Sequence, residues 1–277
     1  IDGLGMDPWG RKMSKSWGNG IDADSVLDCG LGGRTGSWQI RGPDGKSVKL
    51  KANKIGSECF RLWKAAEAQV GDDFHINPEE IESKYFGVLT KIFNVARFAS
   101  QFKSPESMPS NLSNADMWIL SEYDRMRESS EKHWSEIDIY SATQAVKTFL
   151  TGVFPSHWME MAKSRLYDDD PSAAWTLHTV LSGSLAILSP VCPLFCHHLS
   201  SVLYGNSTMY ESEYPRSPGV SINSSDSVTK SMMQFNAEIW RTKKERNLSL
   251  KSPLEDVSIP AELDDYAVDL RKMHSLV

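Results

Sequence analysis

Two lysines lie three positions apart in Lys12-Met13-Ser14-Lys15-Ser16, within a turn-rich segment bounded by Gly10 and Gly18. A mobile stretch of small residues that brings two ammonium groups to one point suits a polyphosphate whose negative charge grows during a reaction. Read alone, the pair also fits a solvated surface loop, because five-residue strings recur by chance. No Ser-His-Asp set, paired acid and base carboxylates, or Walker loop is present to carry a different chemistry.

Three further constellations invite a functional reading. Trp240-Arg241-Thr242-Lys243-Lys244-Glu245-Arg246, followed by Lys251, is the densest basic run. It reads either as a solvated helix face or as a contact for RNA phosphates through Arg241, Lys243, Lys244, Arg246 and Lys251. Arg125 with Arg127, and Lys163 with Arg165, are weaker candidates of the same kind. Trp118, Trp134 and Trp158 could stack on unpaired bases, although core anchoring is the commoner role of such residues. Cys192-x-x-x-Cys196-His197-His198 has the residue types of a metal site. Pro193 lies between the thiols, the surroundings are apolar and no second ligand pair is near, so inert buried cysteines and no structural metal are expected.

These groups must be positioned by elements of two kinds. Trp38 and Ile40, then Val48 and Leu50, alternate with polar residues across Gly42-Pro43-Asp44-Gly45, which predicts a β-hairpin over residues 37–51. From Ser57 the apolar period becomes helical. Cys59, Leu62, Trp63 and Ala66 share a face, with Ser57 as the expected N-cap. Asn77, Pro78, Glu79 and Glu80 mark another helix start, whose stripe runs Ile81, Tyr85, Val88, Leu89, Ile92, Val95, Ala96, Ala99. Lys103 to Ser113 is a Pro/Ser/Asn linker. Helical patterns then cover roughly 115–134, 139–153 with a kink at Pro155, 171–188, 193–204 and 229–247. Residues 266–277 read as a helix with no stop signal, which suggests a piece of a longer protein, as does an opening at Ile1. The expected fold class is mainly α: a helical connector and an antiparallel helical bundle, with one small β-hairpin near the N-terminus.

Composition sets outer bounds. The 277 residues, 40% hydrophobic and 24% charged, suit one or two globular domains. A net charge of -6 is not that of a nucleic-acid binder as a whole, but RNA contact depends on where the basic groups lie. Cys29, Cys59, Cys192 and Cys196 form no disulfide framework, and a cytoplasmic location is expected. The apolar stretch from Leu177 to Leu203 is broken by Pro190, Pro193, His197 and His198 and reads as buried helices, so no membrane partner is expected.

The string Gly10 to Asn19 resembles the second signature loop of the class I aminoacyl-tRNA synthetases, in the branch that handles valine, isoleucine and leucine. Four later segments resemble the same family in order: Gly56-Ser57-Glu58-Cys59-Phe60-Arg61-Leu62-Trp63, Lys91-Ile92-Phe93-Asn94-Val95-Ala96-Arg97-Phe98, Asp116-Met117-Trp118-Ile119-Leu120-Ser121 and Leu188-Ser189-Pro190-Val191-Cys192-Pro193-Leu194. The Asn-x-Ala-Arg-Phe string and Lys243 to Lys251 look most like the archaeal-type valyl branch, with isoleucyl enzymes close by and a non-catalytic tRNA-binding helical module as the rival. The resemblance implies that Lys12 and Lys15 are catalytic, binding ATP and stabilising departing pyrophosphate while valine forms its adenylate. Met13 would pack the loop, and Ser14 and Ser16 would supply short hydrogen bonds. It implies Mg2+ with the ATP, valine tRNA as partner and a monomeric enzyme. It divides the chain into residues 1–56 (end of a catalytic domain with the loop and a hairpin insert), 57–110 (helical connector) and 111–277 (anticodon-binding bundle, truncated). The hairpin at 37–51 exceeds the family's usual connector, and a segment lacking the nucleotide-binding sheet and first signature is expected to be inactive alone.

Overall fold

The computed structural model describes residues 3–21, 24, 26, 37–52, 54–205, 209, 212–220 and 226–277. Cys29 and much of the glycine-rich run after Ile21 lie outside the described residues, as does part of the expected surface stretch 205–228. The chain groups into two compact units: Ile1–Asn94 with Ser129–Lys147 and Leu185–Glu213, and Val95–Glu128 with Thr148–Ser184 and Tyr214–Val277.

In the first unit, β1 (Gly5–Met6) pairs in parallel with β4 (Phe74–His75), and β2 (Ser37–Arg41) pairs antiparallel with β3 (Ser47–Lys51). The hairpin register sets Ile40 opposite Val48 and Gln39 opposite Lys49, as the alternation predicts. Two-residue β1 and β4 carry no readable period, and their long-range pairing is a finding of the structure. Helix α1 (Gly56–Glu67) buries Cys59, Leu62, Trp63 and Ala66. Ser57 is not its cap: Ile55 holds that position, Gly56 already starts the helix, and no side chain caps the end. Asn77 does cap α2 (Pro78–Ile81), accepting the Glu79 N–H at 3.1 Å with Pro78 in the first turn. A π turn at Glu82–Phe86 leads into α3 (Gly87–Ala99). Of the expected stripe, Val88 alone is only half-buried.

Two of the family-like segments meet here. The Arg61 guanidinium donates to the carbonyls of Val191 at 2.8 Å and Pro190 at 3.0 Å. Glu58 accepts the Phe195 N–H at 2.9 Å, at the N-terminal end of α8 (Pro193–Tyr204), where a carboxylate complements the helix dipole.

The second unit takes in α4 (Asn114–Ser135) to Glu128, α5 (Ile139–Thr151) from Thr148, α6 (Met159–Tyr167), α7 (Pro171–Leu188) to Ser184, α9 (Asp226–Glu245) and α10 (Ala267–His274). Its core holds Ile119, Leu120, Tyr123, Leu177 and Leu181, with the rings of Phe149, Phe154 and Trp158 stacked in sequence at 5.8 and 5.5 Å. Pro155 is accommodated by a second π turn, Val153–Trp158. Asp116 is fully buried and accepts from Trp158 Nε1 at 3.1 Å, Ser172 Oγ at 2.5 Å and both terminal nitrogens of Arg165 at 2.8 and 2.9 Å. The expected open-ended final helix stops at His274. Ser275 takes a left-handed conformation (φ 51°), and Leu276 bridges to Leu254.

Candidate functional site

The lysine loop is organised by a carboxylate that sequence reasoning passed over. Asp7 follows β1 directly and is fully buried. Its Oδ1 accepts the backbone N–H of Trp9 at 3.1 Å and of Arg11 at 2.9 Å. Its Oδ2 accepts Arg11 Nε at 2.7 Å and Asn19 Nδ2 at 3.0 Å. Burial pushes this carboxyl up, but the bonds from Asn19, Arg11 and Trp9 together outweigh it and hold the group below the ordinary carboxylate range.

Asn19 then fastens the signature stretch from behind. Its amide also donates to Lys12 O at 3.1 Å, and its Oδ1 accepts the Ser14 N–H at 2.8 Å. Met13 N donates to Gly5 O at 2.8 Å, which ties the loop to β1. Lys15–Trp17 forms a single 3₁₀ turn closed by Gly18 at φ 67°, a conformation glycine adopts without Cβ strain. The Ser14 and Ser16 hydroxyls lie 2.8 Å apart.

The outcome is a backbone held on one side with its cations on the other. Lys12 and Lys15 are exposed, and among the described residues neither ammonium has a carboxylate partner. Lys12, Met13, Ser14 and Lys15 border a cleft of about 300 Å³ with Leu4, Ile21 and Ile76, while Ser16 stands outside its lining. Two unpaired ammonium groups beside a cleft of that size fit a phosphate chain. Arg11 carries the arrangement outward, donating to Gly42 O at 3.1 Å and Arg41 O at 2.6 Å on the hairpin.

A family model described as tRNA synthetases class I (I, L, M and V) matches residues 1–77, and one described as the anticodon-binding domain of tRNA ligase matches residues 116–259. The chain belongs to the class I tRNA ligases. Among relatives of this family, the valine–tRNA ligase of Aeropyrum pernix is 28% identical across 99% of this chain and 32% of its own length. That of Nanoarchaeum equitans is 26% identical across 100% of this chain and 33% of its own. The chain thus spans about a third of the length of the curated relatives it matches. A crystal structure of a LeuRS–tRNA–LeuAMS ternary complex from Agrobacterium radiobacter K84 superposes with a TM-score of 0.54 at 16% identity, covering 78% of this chain and 24% of that one, a likeness of fold.

The class I ligase frame leaves the other sequence candidates unequal. Arg241, Lys244, Arg246 and Lys251 are exposed at and beyond the C-terminal end of α9. Lys243 is not available to phosphate: it is fully buried, and its ammonium donates to Leu250 O at 2.7 Å and His274 O at 2.6 Å. On a helix, neighbours in a charged run point about 100° apart, and Lys243 falls on the inward face. Arg165 is likewise occupied: half-buried, it pairs with Asp116, Asp170 and Asp269. Arg127 pairs with Asp124 at 2.6 Å, and Arg125 with Glu122. Trp118 and Trp158 are fully buried, with indole N–H groups on Thr229 and Asp116, so they anchor the core. Trp134 is half-buried beside a larger cleft of about 830 Å³ that Phe60, Ile137 and Tyr140 also line.

Cys192 and Cys196 are buried, and burial pushes both thiols well above their ordinary range.

Proposed function

We propose that this chain is part of a valine–tRNA ligase, in which it supplies the ATP-facing signature loop and the helical domain that holds the tRNA anticodon arm. The supporting observation is the pair of unpaired lysines on a loop fastened by Asp7 and Asn19, in a chain similar from end to end to valine–tRNA ligases. In the intact enzyme, a valine carboxylate oxygen attacks the α-phosphorus of ATP. The bond from that phosphorus to the bridging oxygen breaks, and pyrophosphate leaves with the electron pair. Lys12 and Lys15 stabilise the charge that gathers on the departing oxygens, and among the described residues no carboxylate pairs with either ammonium. Magnesium would travel on the phosphates, because the loop's own carboxylate, Asp7, is taken up by Arg11 and Asn19.

Residues 1–56, 57–110 and 111–277 then act as the end of the catalytic domain, the connector and the anticodon-binding bundle. Arg241, Lys244, Arg246 and Lys251 are the proposed tRNA phosphate contacts, with Lys243 holding the segment beneath them. Amino-acid-dependent exchange of labelled pyrophosphate into ATP by the full-length protein tests the reading. Exchange supported by valine well above isoleucine is expected. Exchange driven by isoleucine, or none at all, would overturn it.

A further inference from the structure

The β2–β3 hairpin is a local reversal of the chain's charge. Residues 37–54 carry Arg41, Lys46, Lys49, Lys51 and Lys54 against the single acid Asp44, in a chain with 30 basic and 36 acidic residues overall. Its register separates the two faces. Ile40 and Leu50 are buried, whereas Gln39, Arg41 and Lys49 are exposed on the alternate positions. Lys46 projects from the turn, 4.0 Å from Asp44 and with most of its side chain in solvent. Among the described residues Lys49 has no acidic partner.

This basic strip is attached to the signature loop. Arg11 donates to the carbonyls of Gly42 and Arg41, and the Arg41 N–H donates to Gly18 O at 3.0 Å. Three hydrogen bonds thus join the hairpin to the segment that carries Lys12 and Lys15. Outward, solvent-exposed cations on a two-stranded ribbon are suited to a phosphodiester backbone, whose binding is driven by counterion release.

We propose that the hairpin is a second, sequence-independent contact for the tRNA backbone, made next to the signature loop and distinct from the basic end of α9. The proposal rests on the reading of the chain as part of a tRNA ligase. Its work is to hold the RNA near the loop, through Lys46 and Lys49, without touching ATP.

The test is the double substitution Lys46→Glu with Lys49→Glu in the full-length protein. The expected result is a rise of about tenfold in the KM for tRNA and a salt dependence of tRNA binding shallower by about one to two in log-log slope. Valine-dependent pyrophosphate exchange should be unchanged, and Lys46→Arg with Lys49→Arg should restore the tRNA KM. An unchanged KM for tRNA would overturn the proposal. A parallel loss of pyrophosphate exchange would overturn it as well, since the hairpin would then act on the loop and not on RNA. Absence of exchange in the unaltered protein would instead sink the ligase reading on which the proposal stands.

Discussion

At the scale of single residues, the loop depends on groups that carry no catalytic charge. Asn19 makes three hydrogen bonds, to Asp7, Lys12 and Ser14, and each fixes a different point of the signature stretch. Asn19→Ala strips these bonds and leaves the buried Asp7 short of a donor, at a local cost of about 1–3 kcal/mol. The KM for ATP in pyrophosphate exchange should rise by roughly tenfold or more on that basis, with tRNA binding unaltered. Unchanged ATP kinetics would mean that the loop is positioned otherwise. Asp7 also sets an acid limit. Its folded pKa is depressed, so its stabilising effect is complete above the ordinary carboxylate range and disappears as pH falls through the folded value.

Lys243 makes the opposite point, a charge that works structurally. Lys243→Met removes the donor from the Leu250 carbonyl and from the buried His274 carbonyl and should lower stability by about 1–3 kcal/mol in denaturant unfolding, whereas Lys244→Ala at the exposed neighbour should alter it by less than about 0.5 kcal/mol. Equal effects at the two positions would contradict the burial of Lys243. The string Trp240 to Arg246 announces a helix and a basic run, but not which lysine turns inward, because that follows from the segment 248–254 and the end of α10 folding over it.

At the scale of elements, legibility in the sequence follows local chemistry. Helix α8 starts at Pro193 and ends before Gly205 (φ 68°), both of them punctuation that acts within one turn. The hairpin is legible through Pro43-Asp44-Gly45 and the alternation of Ile40, Val48 and Leu50. What escapes is set by distant partners. The β1–β4 pair joins residues 69 apart, too short for a period to show. The π turns at Glu82–Phe86 and Val153–Trp158 add one residue to a turn while leaving the apolar stripe almost intact. Ser57 has the chemistry of a cap but lies one residue inside a helix that Gly56 begins. Asp7 and Asn19 are ordinary polar residues until the chain brings them together.

Helix packing offers its own test. Gly183 on α7 faces Tyr123 on α4, and a Cβ there would overlap the tyrosine hydroxyl. Gly183→Ala should therefore destabilise the second unit by about 1–3 kcal/mol, against the usual gain from replacing a helical glycine. A more stable protein in thermal melts would show that this contact is loose.

At the scale of the whole molecule, the second unit joins buried titratable groups in one network. His274 Nε2 meets Asn236 Oδ1 at 2.7 Å, and Asn236 Nδ2 meets His157 Nδ1 at 2.9 Å. Burial, followed by the Lys243 ammonium and by His157 when that ring is protonated, pulls His274 down to about 4, and burial lowers His157. Both are neutral in the folded protein at pH 7. Between about 4 and the ordinary value of 6.5 the unfolded chain binds the extra proton, so stability present above 6.5 is lost as pH falls. For His274 alone the loss amounts to about 3 kcal/mol, read as a falling denaturant midpoint. A midpoint flat from pH 7 to 4 would contradict it.

We propose that the loop acts on ATP while the helical domain holds RNA, two separable tasks in one ligase. Lys15→Ala in the full-length protein separates them most directly, measured by valine-dependent pyrophosphate exchange alongside tRNA binding. Exchange is expected to fall by about 10²-fold or more, the scale of losing one preorganised charge stabiliser, with tRNA affinity retained. Exchange at the unaltered rate, or loss of tRNA binding in step with exchange, would contradict it.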